Sequence, residues 1–198
     1  MTEMQQAVKM GLLLFLVFFV LTGFVYPLAV TLIAGAVFPY QAHGSLFIGD
    51  GGRVIGSGLI GQNFSAPLYF QSRPSETPIT AYNASYSGGS NLAPTNPLLE
   101  EQIAERVAVL RNAGVNGSIP SDLVMASGSG LDPDISLDAA LVQVPAVAKA
   151  RNLPESEVRA LVLARAESLP VPFAGQYVNV LSLNRALDGL DEGVDDGG

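Results

Sequence analysis

The stretch from Ser85 to Asn91 reads SYSGGSN, and its adjacent glycines place backbone amides where they could line an anion. A phosphate loop also needs a closing Gly-Lys-Ser/Thr and a helix behind it, and neither is present. No lysine lies between Lys9 and Lys149 to balance a triphosphate. From the residues alone, the stretch is a turn that orders a longer loop. His43 is the only histidine and cysteine is absent, which leaves too few ligands for zinc and removes thiol chemistry. His43 reads instead as a polar residue beside a membrane surface. Ser127-Gly128-Ser129-Gly130 lacks the spacing of a hydrolase nucleophile turn, and Lys149 is the sole lysine that could activate a serine in a membrane-anchored serine hydrolase. Asp132-Pro133-Asp134 offers paired carboxylates for a cation or a proton. An Asp beside Pro also accepts backbone hydrogen bonds in a turn, and that reading is the stronger.

These residues must be positioned by a chain of 198 residues, enough for one ordinary domain and a short appendage. Hydrophobic residues make up 48% and charged residues 14%, so part of the chain does not face water. Met10 to Gln41 carries no formal charge, and Leu12 to Ile33 is apolar almost throughout. At about 1.5 Å per helical residue, that run can cross a hydrocarbon core of about 30 Å. Ala34-Gly35-Ala36 resembles a signal cleavage site, yet the apolar run outlasts the usual ~7–15 residues of a signal core. A retained membrane helix over residues 11–37 is expected. Lys9 and the α-amino group precede it, whereas the next cation is Arg53, so residues 1–10 are placed in the cytoplasm and the folded domain outside.

Gly23, Pro27, Thr31 and Gly35 repeat every fourth residue and form a stripe on which a partner's membrane helix could pack. Pro27 should kink the helix, with Gly23 easing the crowding. One uncharged helix cannot form a pore, so any part in transport is accessory. Net charge is −8, and much of it lies in Asp188, Asp191, Glu192, Asp195 and Asp196. Residues 188–198 are expected to be an acidic disordered tail, and nucleic acid is not an expected partner.

Between anchor and tail, residues 38–187 read as one mixed domain. Ser45–Ile48 and Arg53–Ile60 predict short strands joined at Gly49-Asp50-Gly51-Gly52. Gln62 to Pro97 is loop by composition, and a loop that long in a compact domain points to a task. Asn96-Pro97 opens a helix with Leu99, Ile103, Val107 and Leu110 on its inner face and Gly114 as its stop. Ser136 caps a second helix, which Pro145 should break or kink so that Ala146–Arg151 forms a separate short turn. Pro154 opens a third with Val158, Leu161 and Val162 inside, and Tyr177–Leu183 reads as a late strand. The fold class is α+β, a single N-terminal transmembrane helix followed by one mixed α/β extracytoplasmic domain.

The chain also resembles a known family, the C subunit of the Kdp potassium-transporting P-type ATPase, KdpC. The likeness runs in order through YPL in the apolar span, LIGQNF (Leu59–Phe64), YFQSRPS (Tyr69–Ser75), SGGSNLAPTNP (Ser87–Pro97), ASGSGLDPDIS (Ala126–Ser136), QVPAVAKAR (Gln143–Arg151) and VNVLSLN (Val178–Asn184). It departs at Arg165–Gln176, where the family often has a His-Thr-Glu-Gly-like stretch. The resemblance implies a non-catalytic accessory subunit of a high-affinity, ATP-driven potassium importer in the cell membrane, bacterial inner or plasma membrane. Its implied partners are a potassium-binding channel-like subunit, an ATP-hydrolysing P-type subunit and membrane lipid.

Two roles attach to the family. In one, the external domain stabilises the assembly and caps the potassium-binding subunit. In the other, the subunit is a catalytic chaperone that raises ATP affinity of the pump subunit, with SGGSN likened to the LSGGQ signature of ABC transporters. Flank charge and the missing lysine favour the first. Ser87, Gly88, Gly89, Ser90 and Asn91 are then a loop contact, with nucleotide as the alternative ligand, and Arg73 is expected to tie that loop down. No cofactor is expected to be firmly bound, and ATP would enter through the pump subunit.

Overall fold

The computed structural model describes residues 2–168 and 175–195 and divides into two units, Met1–Leu46 and Phe47–Gly198. In the first, α1 (Glu3–Val20), a π-helical turn (Leu21–Val25) and α2 (Tyr26–Val37) run on as one helix of 35 residues with mean hydropathy 2.5. It is the one helix among the described residues long and apolar enough to cross a membrane. The π turn is how the chain accommodates Pro27. Pro27 has no N–H to give Gly23, and the preceding Tyr26 N–H bonds Leu21 O, five residues back. The Thr22 hydroxyl donates to Phe18 O at 2.7 Å and satisfies a carbonyl beside the widened turn. A short α3 (Pro39–Ala42) follows, and exposed His43 sets its Nδ1 2.6 Å from Pro39 O.

The expected hairpin is present with shorter strands, β1 (Leu46–Ile48) and β2 (Val54–Ser57), turning through Gly51 and Gly52 at φ 69° and 77°. Residues 58–96 then contain neither helix nor strand. Regular structure resumes at α4 (Pro97–Asn112), where the Asn96 side chain accepts from Leu98 N–H at 3.0 Å. Leu99, Ile103 and Val107 are half-buried and Leu110 is buried, as their spacing requires, and Gly114 lies beyond the helix at φ 92°.

The remaining elements are β3 (Asp134–Ser136), α5 (Leu137–Arg151), α6 (Glu155–Ala164), β4 (Glu167–Ser168), β5 (Gln176–Asn179) and α7 (Val180–Asp195). The three strands form an antiparallel sheet in the order β3-β5-β4, with Ile135 opposite Val178 and Glu167 opposite Tyr177. Ile135 and Val178 of the sheet, Val144 and Val147 of α5, Val158 and Val162 of α6, and Leu183 and Leu187 of α7 share one buried core. The expected departure at Arg165–Gln176 falls partly outside the described residues, at 169–174.

Two expectations are corrected. Pro145 does not break α5, which is continuous from Leu137 to Arg151. The ring lies on the exposed face, where the freed carbonyl can reach water, while buried Val144, Val147 and Ala148 hold the helix from the other side. The late strand ends at Asn179, and Val180–Leu183 begins a helix. Asn179 Oδ1 accepts from Ser182 N–H at 3.1 Å, a cap that turns the chain despite the β-branched Val178 and Val180. Helix α7 takes in Asp188 and runs to Asp195, within the stretch expected to be a tail. Asp188 is fastened by Arg151 Nη2 at 2.6 Å, and Leu190 packs on the core. Residues 196–198 of that tail lie outside the described residues.

Candidate functional site

Two buried side-chain amides hold the long loop to the core. Asn184 of α7 accepts the Phe70 N–H at 2.9 Å and donates to Phe70 O at 3.0 Å. Gln143 of α5 repeats the pattern one residue on, accepting Gln71 N–H at 2.8 Å and donating to Gln71 O at 3.4 Å. Each amide does what a neighbouring strand would do for an extended segment. Asn184 is 1% exposed and Gln143 2%; the Asn184–Phe70 bonds are buried, those between Gln143 and Gln71 half-buried, and Phe70 itself is fully buried.

From this fixed point the loop turns back on itself. Ser75 Oγ accepts Tyr82 N–H at 2.9 Å and donates to Gly130 O at 2.7 Å, while Tyr82 OH donates to Arg73 O at 2.7 Å. Burial pushes the Tyr82 phenol above its usual pKa, in keeping with a neutral donor. The SGGSN stretch lies along the second glycine-rich run. Ser87 Oγ and Gly88 N–H both donate to Ser129 O, at 3.1 and 2.8 Å. A Cβ on Gly130 would stand 2.6 Å from Gly88 O, so glycine is needed there, and one on Gly89 would stand a tight 3.0 Å from Ser127 O. Asn91 turns the chain at φ 50° with Nδ2 donating to Gly89 O at 3.2 Å, and Ser90 Oγ meets Leu92 N–H at 3.5 Å.

Arg73, expected to tie down the 87–91 loop, pairs instead with Asp132 at 3.0 Å. The other oxygen of Asp132 accepts Asp134 N–H at 3.2 Å, so the Asp-Pro-Asp run is the turn its composition suggests. A cleft of about 390 Å³ opens here, lined by Arg73, Asp122, Asp132, Asp134 and Tyr177. Burial lifts the Asp134 carboxyl above its usual pKa, with Asp132 and Glu167 adding to the rise and the Asn179 amide opposing it. Burial would also lift Asp122, but hydrogen bonds from the Ser136 backbone and hydroxyl, with the charge of Arg73, outweigh it and hold Asp122 low.

Ser87 through Asn91 are thus brought together with Ser127–Gly130, whereas Gly23, Pro27, Thr31 and Gly35 lie in the other unit, on the π turn and α2. Lys149 has no hydrogen bond to Ser127 or Ser129 among the described residues, and Ser127 is 2% exposed. No group of three or more His, Asp or Glu side chains suited to a metal ion occurs among the described residues.

The family model described as "KdpC: K+-transporting ATPase, c chain" matches residues 8–189. The chain belongs to the KdpC family. Proteins named potassium-transporting ATPase KdpC subunit are similar over most of their length. That of Methanosphaerula palustris is 58% identical, over 84% of this chain and 88% of its own. That of Geobacter sulfurreducens is 51% identical over 92% and 97%, and that of Bradyrhizobium diazoefficiens 47% identical over 93% and 98%.

The KdpC match takes in the apolar helix and every segment of the loop cluster. Gln143 and Asn184, which clamp that cluster, were not singled out by sequence reasoning, although both sit in quoted motifs, QVPAVAKAR and VNVLSLN. The available signal was an amide side chain on the apolar face of a helix, with Gln143 beside Val144 and Asn184 beside Leu183.

Proposed function

We propose that this chain is the non-catalytic accessory subunit of a potassium-transporting P-type ATPase. Its single helix anchors it with the N-terminus in the cytoplasm, and its folded unit caps the potassium-binding channel-like subunit from outside and stabilises the assembly. The glycine-rich loops supply a preformed contact surface. The observation that carries this reading is the Gly88 N–H bound to Ser129 O at 2.8 Å, which spends on the protein's own backbone a donor that a phosphate cradle would aim at its ligand. The absence of lysine between Lys9 and Lys149 supports the same reading. In the membrane, Gly23, Pro27, Thr31 and Gly35 form the stripe for a partner helix, and lipid covers the remaining faces.

The test compares external protease access to the 87–91 loop in intact cells with ATP photocrosslinking to the same loop. Cleavage from outside with no crosslink is expected, together with co-purification of a channel-like protein and a P-type ATPase. A specific ATP crosslink on a protease-protected loop would overturn the cap in favour of a chaperone that raises ATP affinity of the pump subunit.

A further inference from the structure

Among the described large hydrophobic residues Ile79 is the most exposed, at 88%, and its backbone lies at φ 75°. Thr80 N–H donates to Pro78 O at 2.9 Å, so Ile79 is the centre of the rarer, positive-φ γ-turn. A β-branched residue there is a conformational outlier, and such strain persists only where the surroundings fix it. The bracing is visible. Thr77, 7% exposed, donates its hydroxyl to Thr80 O at 2.7 Å and accepts Asn83 N–H at 3.0 Å, while Asn83 Nδ2 donates to Pro78 O at 3.3 Å. The chain therefore sustains a strained turn whose branched apolar side chain buries almost nothing in its own fold.

The surrounding sequence indicates what meets it. No charged residue occurs from Thr77 to Leu99, and this stretch also exposes Tyr86 at 56%. Protein interface cores are depleted in charge and enriched in tyrosine. A lipid surface would instead favour unpaired cations beside the apolar tip, and the two cations that flank this stretch are engaged within the fold, Arg73 by Asp132 and Arg106 by Glu76. We infer that Ile79 is an anchor, inserted into an apolar pocket on the exterior of the potassium-binding channel-like subunit and held ready by the braced γ-turn. This inference rests on the accessory-subunit reading above.

The experiment uses the full chain in membranes with its partner subunits, comparing wild type with Ile79→Asn, Ile79→Gly and Ile79→Leu. Asn and Gly both tolerate positive φ better than Ile. Ile79→Asn should raise the melting temperature of the full chain by about 2–4 °C, equivalent to relief of modest strain in a chain of this size. Both Asn and Gly should weaken capture of the channel-like subunit by about tenfold, the loss typical of an anchor residue, while Ile79→Leu retains most of it. Opposite movement of stability and assembly is the signature, because a merely structural Ile79 would lower both. Failure of wild type to capture the subunit overturns the accessory reading and the anchor with it. Capture by wild type matched by Ile79→Asn overturns the anchor alone, as does a lower melting temperature for that variant.

Discussion

In α5 and α6 the buried Val144, Val147, Val158 and Val162 recur at helical spacing and meet through apolar surface, whereas residues 58–96 contain no helix or strand. Those loop residues are fixed by amides and hydroxyls reaching across the chain, Asn184 to Phe70, Gln143 to Gln71, Ser75 to Gly130 and Ser87 to Ser129. The two regions differ in how they tolerate damage. Apolar contacts are many, weak and individually replaceable, while a buried amide pair has few bonds and leaves its partners stranded when removed. A long loop can therefore be as firmly placed as a helix, provided its polar groups find partners inside the fold.

The sharpest challenge to that comparison is Asn184→Leu. It strands both the N–H and the C=O of Phe70 in a water-free site, and a loss of about 4 kcal/mol is expected in denaturant titration of the full chain. Gly130→Ala comes next. The residue lies at φ 66°, and an added Cβ would stand 2.5 Å from Thr77 Cγ2 and 2.6 Å from Gly88 O, a clash with backbone that cannot swing aside. About 3 kcal/mol is expected, with faster proteolysis at 87–91 as the local readout. Val158→Ala on the helical side should cost about 2 kcal/mol, two methyl groups and a partly relaxed cavity. If Val158→Ala proves costlier than Asn184→Leu, the loop is a passenger on the helical core and the comparison fails.

The smallest effect concerns the acidic cleft. A carboxyl whose native pKa lies above its unfolded value of 3.8 opposes folding while ionised. Asp134 therefore weakens the fold above its raised native pKa, and the handicap fades as pH falls toward the unfolded value. Asp134→Asn should stabilise the chain slightly at pH 7 by a gain that shrinks near pH 4, as thermal melts at the two pH values would show. A gain that persists unchanged at pH 4 would remove ionisation as its cause.

Local signals made much of the helical side legible. Asn96-Pro97 opened α4, Ser136 capped α5, with its hydroxyl accepting Ala139 N–H at 3.2 Å, and the apolar residues of α6 faced inward. The failures came where another contact outweighed the local rule applied, whether across the chain or within a few residues. Pro145 was absorbed by a helix held on its buried face, and Val180 was drawn into α7 by the Asn179 cap. Asp188 pairs with Arg151, whose guanidinium also lies 4.7 Å from the centre of the Tyr69 ring. In the candidate site, SGGSN was legible as a turn and SGSG only as a glycine-rich run, and their contact with each other was not legible.

By itself the sequence determined what depends on neighbours a few residues apart: the apolar run long enough to span a bilayer, the hairpin, the helix caps and faces, and the motif order that marks the family. Tertiary structure alone decided which glycines approach which carbonyls, which amides clamp Phe70 and Gln71, and where the strain at Ile79 is braced. The reason is one of range. Helical and strand periodicity is written within a turn or two of chain, whereas Asn184 lies 114 residues from the backbone it pairs with, and only folding brings its two hydrogen bonds into reach.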